Sequence, residues 1–216
     1  MKGNPTMALY APPIKSAPQG DPVSAGTHRA ICYAVVDLGH QQATNFDGQA
    51  EVQHQVLLMF ELSDERMDDG RPRGMSRKVK LSVHEKSTLR GILHALSGRK
   101  LSDAEALATN LADLVGKGCL LAVEHNKSPD GSRTYANIKT FSPLMKGMTT
   151  GDPENHETVY EIENGAPPST LPKWVAETIA KSEEAQGRSG KPANGMRPPG
   201  RFAELPPDDN EDVIPY

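Results

Sequence analysis

Five separate stretches read as β-strands, that over 77–83 alternating cleanly with a period of two, and a helix-period segment interrupts them after the third. That order confines the chain to a small, mainly β fold with one helical insert. Residues 28–38 put Ile31, Tyr33 and Val35 on one side and Ala30, Cys32, Ala34 and Val36 on the other, with Gly39 as the stop. Residues 52–62 put Val52, His54, Val56, Leu58, Phe60 and Leu62 on one face. A charged loop is expected over 63–75. Residues 77–83 then alternate Val79, Leu81 and Val83 inward with Lys78, Lys80 and Ser82 outward. From 85 to 96 the spacing changes, and Leu89, Ile92, Leu93 and Leu96 fall on one helical face with Gly98 as the C-terminal stop. A second helix is predicted over 102–114, with Ser102 as N-cap and Glu105 completing a capping box. Strands over 119–124 and 134–141 flank Ser128-Pro129-Asp130-Gly131 and read as a hairpin.

Three strands, a helical insert and two strands is the order of an OB-fold. This is a five-stranded Greek-key barrel whose helix, between strands 3 and 4, plugs one end. The predicted organisation is a flexible arm over 1–24, an OB-fold domain over 25–144 and an extension over 145–185. A linker over 186–203 and an acidic partner-binding tail over 204–216 follow. Within the extension, 156–162 is a weak strand candidate and 171–185 a helix candidate. Thr170 is its expected N-cap, and Trp174, Val175 and Ile179 suit docking against the rest of the chain.

Charge is distributed unevenly. The net charge is -4, yet residues 71–100 hold nine basic residues and one acidic one, Glu85. Residues 204–216 hold five acids and no base. A basic block within a domain and an acidic tail point to a polyanionic ligand and a second, basic partner. Cys32 and Cys119 lie in apolar strand patterns and read as two buried thiols of a reducing, cytoplasmic setting. No apolar run is long enough to span a bilayer, and the first five residues lack the apolar core of a signal peptide.

No phosphate-binding loop, nucleophile elbow, HExxH or paired CxxC occurs, and the seven histidines lack metal-ligand spacing. The expectation is a non-enzymatic protein with neither metal nor cofactor. Binding has more support. Unpaired nucleic acid is held by cations along its backbone and aromatic faces under its bases. Arg71, Arg73 and Arg77 lie in or beside the charged loop, and Lys78 and Lys80 point outward from strand three. Lys86 and Arg90 follow, and strand five offers Tyr135, Asn137 and Lys139 on its outer face. Tyr135 beside Lys139 is the leading stacking pair. Tyr33 and Phe46 come second, with Tyr33 open between core and platform. Phe60 reads as core, and Trp174 as packing its helix.

The final stretch combines carboxylates at Asp208, Asp209, Glu211 and Asp212 with an apolar plug, Ile214-Pro215-Tyr216. Capture of such a chain end is a known recognition mode, and a merely solubilising tail has no use for the plug. The tail resembles that of bacterial single-stranded-DNA-binding proteins, with Tyr216 in place of their final Phe. The stretch 26–143 also resembles phage-encoded single-stranded-DNA-binding proteins of the OB-fold type. The resemblance lies in Arg29-Ala30-Ile31-Cys32, Asp37-Leu38-Gly39, Phe60-Glu61-Leu62, Lys86-Ser87-Thr88-Leu89-Arg90 and Tyr135-Ala136-Asn137-Ile138. It implies sequence-nonspecific binding of single-stranded DNA in phage replication or recombination, in the host cytoplasm, with the tail recruiting other replication proteins. A replisome adaptor that binds mainly proteins, and an RNA-binding protein, are the alternatives. Homo-oligomerisation stays open, and no membrane association is expected.

Overall fold

The computed structural model describes residues 21–44 and 48–187. It is mainly β. The strands are β1 Gly26–Thr44, β2 Ala50–Arg66, β3 Pro72–Lys80, β4 Gly118–Lys127, β5 Thr134–Ser142 and β6 Thr158–Tyr160. The helices are α1 Thr88–Ser97, α2 Asp103–Ala108 and α3 Lys173–Ile179. All five expected strands occur, with the helical insert between β3 and β4, but β3 begins at Pro72 and ends at Lys80, so the expected 63–75 loop shrinks to 67–71 and Leu81 and Val83 fall outside the strand. The hydrogen-bonded path runs β3-β2-β1-β4-β5, antiparallel at each step, and β6 adds to β1 in parallel. The expected closed barrel is not formed. β3 and β5 are the two ends of an open path and share no ladder.

The sheet curls so that these ends approach. The Arg77 guanidinium on β3 donates from Nη1 to the Ile138 carbonyl on β5 at 3.4 Å, and α1 packs against β3, β4 and β5 together. Inside the curl lies the main core, built on Leu58, Phe60 and Leu62 of β2 and Leu89, Ile92 and Leu93 of α1. Leu121 and Ile138 join from the hairpin, and Phe60 meets Phe141 with ring centroids 5.5 Å apart. Each fully buried leucine or isoleucine contributes about 1.5–3 kcal/mol relative to exposure, so the α1 face alone is a major tie. The ends of α1 are set locally. Ser87 Oγ accepts from the Arg90 amide at 3.2 Å, and Gly98 adopts φ 69°, a left-handed C-cap that glycine takes without strain.

Arg90 departs from its expected place in an exposed basic block. It is 2% exposed, and its guanidinium donates to the Val83 and Leu101 carbonyls, to Asp103 and to His94 at 2.8–2.9 Å. It clamps α1 to the segments that enter and leave it. The second predicted helix is also shorter. The capping box at Ser102 and Glu105 forms, but Thr109 and Asn110 are extended, and a 3-10 turn over Leu111–Leu114 follows.

β1 is long and bent. The ladder to β2 slips at Tyr33 and again at Leu38, each a bulge that adds an unpaired residue. The first slip reverses the alternation. Ala30 and Cys32 face the main core and so does Val35, while Ala34, Val36 and Leu38 face the other side. The expected grouping of Ile31, Tyr33 and Val35 therefore breaks at Tyr33. With Leu57 and Met59 of β2, the outer residues build a second core under Tyr160, Leu171, Val175 and Ile179.

The segment after β5 thus folds back over the outer face of β1 and β2. Its anchors are polar as well as apolar. The Glu61 carboxylate, in a residue 4% exposed, accepts from the Glu154 amide at 2.7 Å, the Asn155 amide at 2.8 Å and Asn155 Nδ2 at 2.6 Å. At the far end Glu184 accepts from the His40 amide at 2.9 Å and meets His40 Nδ1 at 2.6 Å. Gly39, at φ 70°, sits directly beneath: a Cβ there would come within 2.6 Å of Glu184 Oε2 and Ile162 Cδ1. α3 covers part of the predicted 171–185 helix. Its cap position is Pro172, with no side-chain cap bond, instead of Thr170. Among the described residues no helix is long and apolar enough to cross a membrane.

Candidate nucleic-acid interface

β3 divides its cations between two faces. Arg73, Met75, Arg77 and Val79 alternate on the inner side, whereas Ser76, Lys78 and Lys80 face out. Arg73 donates to the Arg66 carbonyl at 3.2 Å and to the Asp21 carbonyl, and lies 3.9 Å from Glu65, so it ties the incoming chain to the end of β2. Arg77 spans the seam between β3 and β5. Arg71 is exposed but chelated by Asp69 at 2.6 and 2.8 Å. That hydrogen bond raises the guanidinium above its ordinary value and holds the Asp69 carboxyl below its own. The three arginines expected to line the groove are thus all engaged within the fold.

The outer lysines differ. Lys78 is exposed and makes no hydrogen bond or ion pair among the described residues. Lys80 reaches Glu51 at 3.5 Å. Across the seam, β5 turns Tyr135, Asn137 and Lys139 outward, opposite Ala136 and Ile138, which pack inward. Lys139 pairs with Glu124 at 3.0 Å and stays 64% exposed. The Arg77–Ile138 contact joins residues 61 positions apart. It ties β3 to β5 at one point; Lys78 and Lys80 lie on the outer row of β3, and Asn137 and Lys139 on that of β5.

Tyr135 is 41% exposed and borders a shallow open groove formed by Asp21, Pro22, Arg133, Thr134, Ala136 and Asn137. Arg133 and Lys127, both exposed at the tip of the hairpin, escaped the sequence reading. The turn signal Ser128-Pro129-Asp130-Gly131 was the available cue, because it places both cations at the same end of the sheet as Tyr135. Asp130 organises that turn. It accepts from the Ser128 and Ser132 hydroxyls and the Ser132 amide, bonds that hold its carboxyl down at about 2.

Tyr33 is not part of this surface. It is half-buried against the second core. Burial, with smaller contributions from the Glu61 and Cys32 charges, pushes its phenol up to about 12. Cys32 and Cys119 are buried free thiols inside the curl, both pushed up to about 12 chiefly by burial. Phe46, and Asp208, Asp209, Glu211, Asp212, Ile214, Pro215 and Tyr216, lie outside the described residues.

The histidines are committed locally. His54 meets Asp37 at 2.7 Å, and the His40 and His54 rings lie 4.7 Å apart. Burial pushes the Asp37 carboxyl up, but the His54 hydrogen bond and charge, with the Gly39 and Ile162 amides, outweigh it and leave Asp37 below its ordinary value. Among the described residues no three His, Cys, Asp or Glu side chains converge as a metal site. The folded-back segment is acidic, with eight carboxylates and two lysines over 151–187. No protein-family model matches the chain, and neither does any curated protein.

Proposed function

We propose that the chain is an OB-fold protein that binds single-stranded DNA with little sequence preference, in replication or recombination. Its acidic segment, 204–216, recruits partner proteins. The observation that carries this reading is the β3–β5 seam. Arg77 draws two strands that share no ladder to within a side chain's reach, and their outward faces then combine free and loosely held lysines with an exposed tyrosine ring. Cations neutralise phosphates while an aromatic face stacks under any base, a combination that binds without reading sequence. Strand order and the α1 plug support the OB-fold reading, with a seam in place of a closing ladder.

The ligand path implied is the outer side of β3 and β5 together with the hairpin tip at Lys127 and Arg133. The outer side of β1 and β2 is covered by the segment 151–187, which is acidic outside α3. Fluorescence anisotropy of labelled oligo-dT at several salt concentrations tests the proposal. The expected result is saturable binding that weakens steeply as salt rises. A flat titration at low ionic strength refutes it and leaves the adaptor reading, in which the seam holds protein instead of DNA.

A further inference from the structure

The chain has one tryptophan, and α3 displays it. Trp174 is 47% exposed and belongs to neither core, contrary to the packing role expected from its place beside Val175. The helix reaches the sheet through Val175 and Ile179, so the positions a third of a turn away face solvent. Beside Trp174 stands Lys173, 91% exposed, 3.9 Å from Glu177. The turn continues past Ile179 through bonds from the Ala180 amide to the Ala176 carbonyl and the Lys181 amide to the Thr178 carbonyl, both 3.0 Å. That brings exposed Lys181, seven positions on, to the same side as Trp174.

Along the chain, Trp174 has Lys173 and Val175 beside it, Leu171 and Glu177 three positions away, Thr178 four and Lys181 seven. A flat π-face with cations on either side fits an unpaired nucleobase with its flanking phosphates. Locally, 169–182 holds two lysines and one glutamate, so α3 is a cationic island in an otherwise acidic segment. We propose that Trp174, with Lys173 and Lys181, is a second stacking platform for single-stranded DNA, separate from the β3–β5 seam. This rests on the DNA-binding reading above and adds a contact on α3.

Because Trp174 is the single indole, its emission reports on the site directly. The experiment titrates the full chain with labelled oligo-dT, recording anisotropy of the label and indole-selective emission of the protein. The expected result is quenching of Trp174 that saturates together with the anisotropy. Trp174→Ala should weaken binding about 5- to 100-fold, Trp174→Phe should retain most of the affinity, and both should melt like the parent. Lys173→Glu with Lys181→Glu should weaken binding and reduce its salt dependence. Normal anisotropy with unquenched emission and an unaffected Trp174→Ala overturns the second platform and leaves the seam standing. No rise in anisotropy at low salt overturns both.

Discussion

Lys78 is the most informative residue to change. It is the exposed β3 cation that makes no bond within the described fold, so Lys78→Gln should remove a phosphate contact and little else. A single-strand phosphate contact contributes a slope of about -0.7 to log K against log salt. Losing one contact flattens the slope by about 0.7 and lowers affinity about 5-fold at 0.1 M salt, since ten raised to 0.7 is about 5. Lys80→Gln should act differently. It also frees Glu51, 3.5 Å away, to repel the strand, so its loss should exceed that of Lys78. The assay is oligo-dT anisotropy over a salt series, with thermal melts as the control for folding. A Lys78→Gln protein whose slope and affinity both match the parent refutes the reasoning and moves the ligand off the seam.

Arg90→Met keeps the bulk but leaves the Val83 and Leu101 carbonyls without their donor, and should destabilise by about 1–3 kcal/mol for each buried carbonyl left unpaired; a denaturant midpoint equal to the parent's counts against the clamp. Gly39→Ala forces an alanine into the left-handed region at about 1–2 kcal/mol and pushes its Cβ at Glu184 and Ile162. Amide exchange should therefore accelerate first around 178–184, and uniform acceleration would contradict this. Asp37 has a depressed folded value, so its contribution to stability is complete above the ordinary aspartate value of about 3.9 and is lost as pH falls through the lower folded one. Urea midpoints should therefore drop on acidification, and less so in Asp37→Asn; parallel curves for the two would sink the assignment. Removal of 204–216 should leave oligo-dT affinity equal or raised while abolishing capture of replication proteins, and a large loss of DNA binding would contradict the division of labour.

The order of strands and helices was legible because each element carries its own period. β2 read correctly along Val56, Leu58, Phe60 and Leu62, and the α1 face read correctly along Leu89, Ile92, Leu93 and Leu96. The second core had a cue that alternation hides. Val56-Leu57-Leu58-Met59-Phe60 is apolar without a break, the pattern of a strand buried on both sides. The bulge at Tyr33 had no such cue, since one extra residue exchanges the faces without altering composition. For the site, Lys78, Lys80, Tyr135 and Lys139 could be placed on outward rows from alternation alone. Their neighbourhood could not, because it depends on how far the sheet curls. Nor could the fate of the arginines be read: Arg73, Arg77 and Arg90 look like ligand cations in sequence, but Arg73 and Arg77 reach the carbonyls of Asp21 and Ile138 in distant segments, and Arg90 turns inward to the loops that flank its own helix.

The back-folded segment also decides what can be removed from this protein. A chain cut after residue 144 would keep every strand of the antiparallel path, yet it would uncover Ala34, Val36, Leu38, Leu57 and Met59 in one greasy strip. Such a fragment should be sticky and prone to clump, however sound its remaining half. The smallest piece able to stand by itself therefore includes the helix that shields that strip.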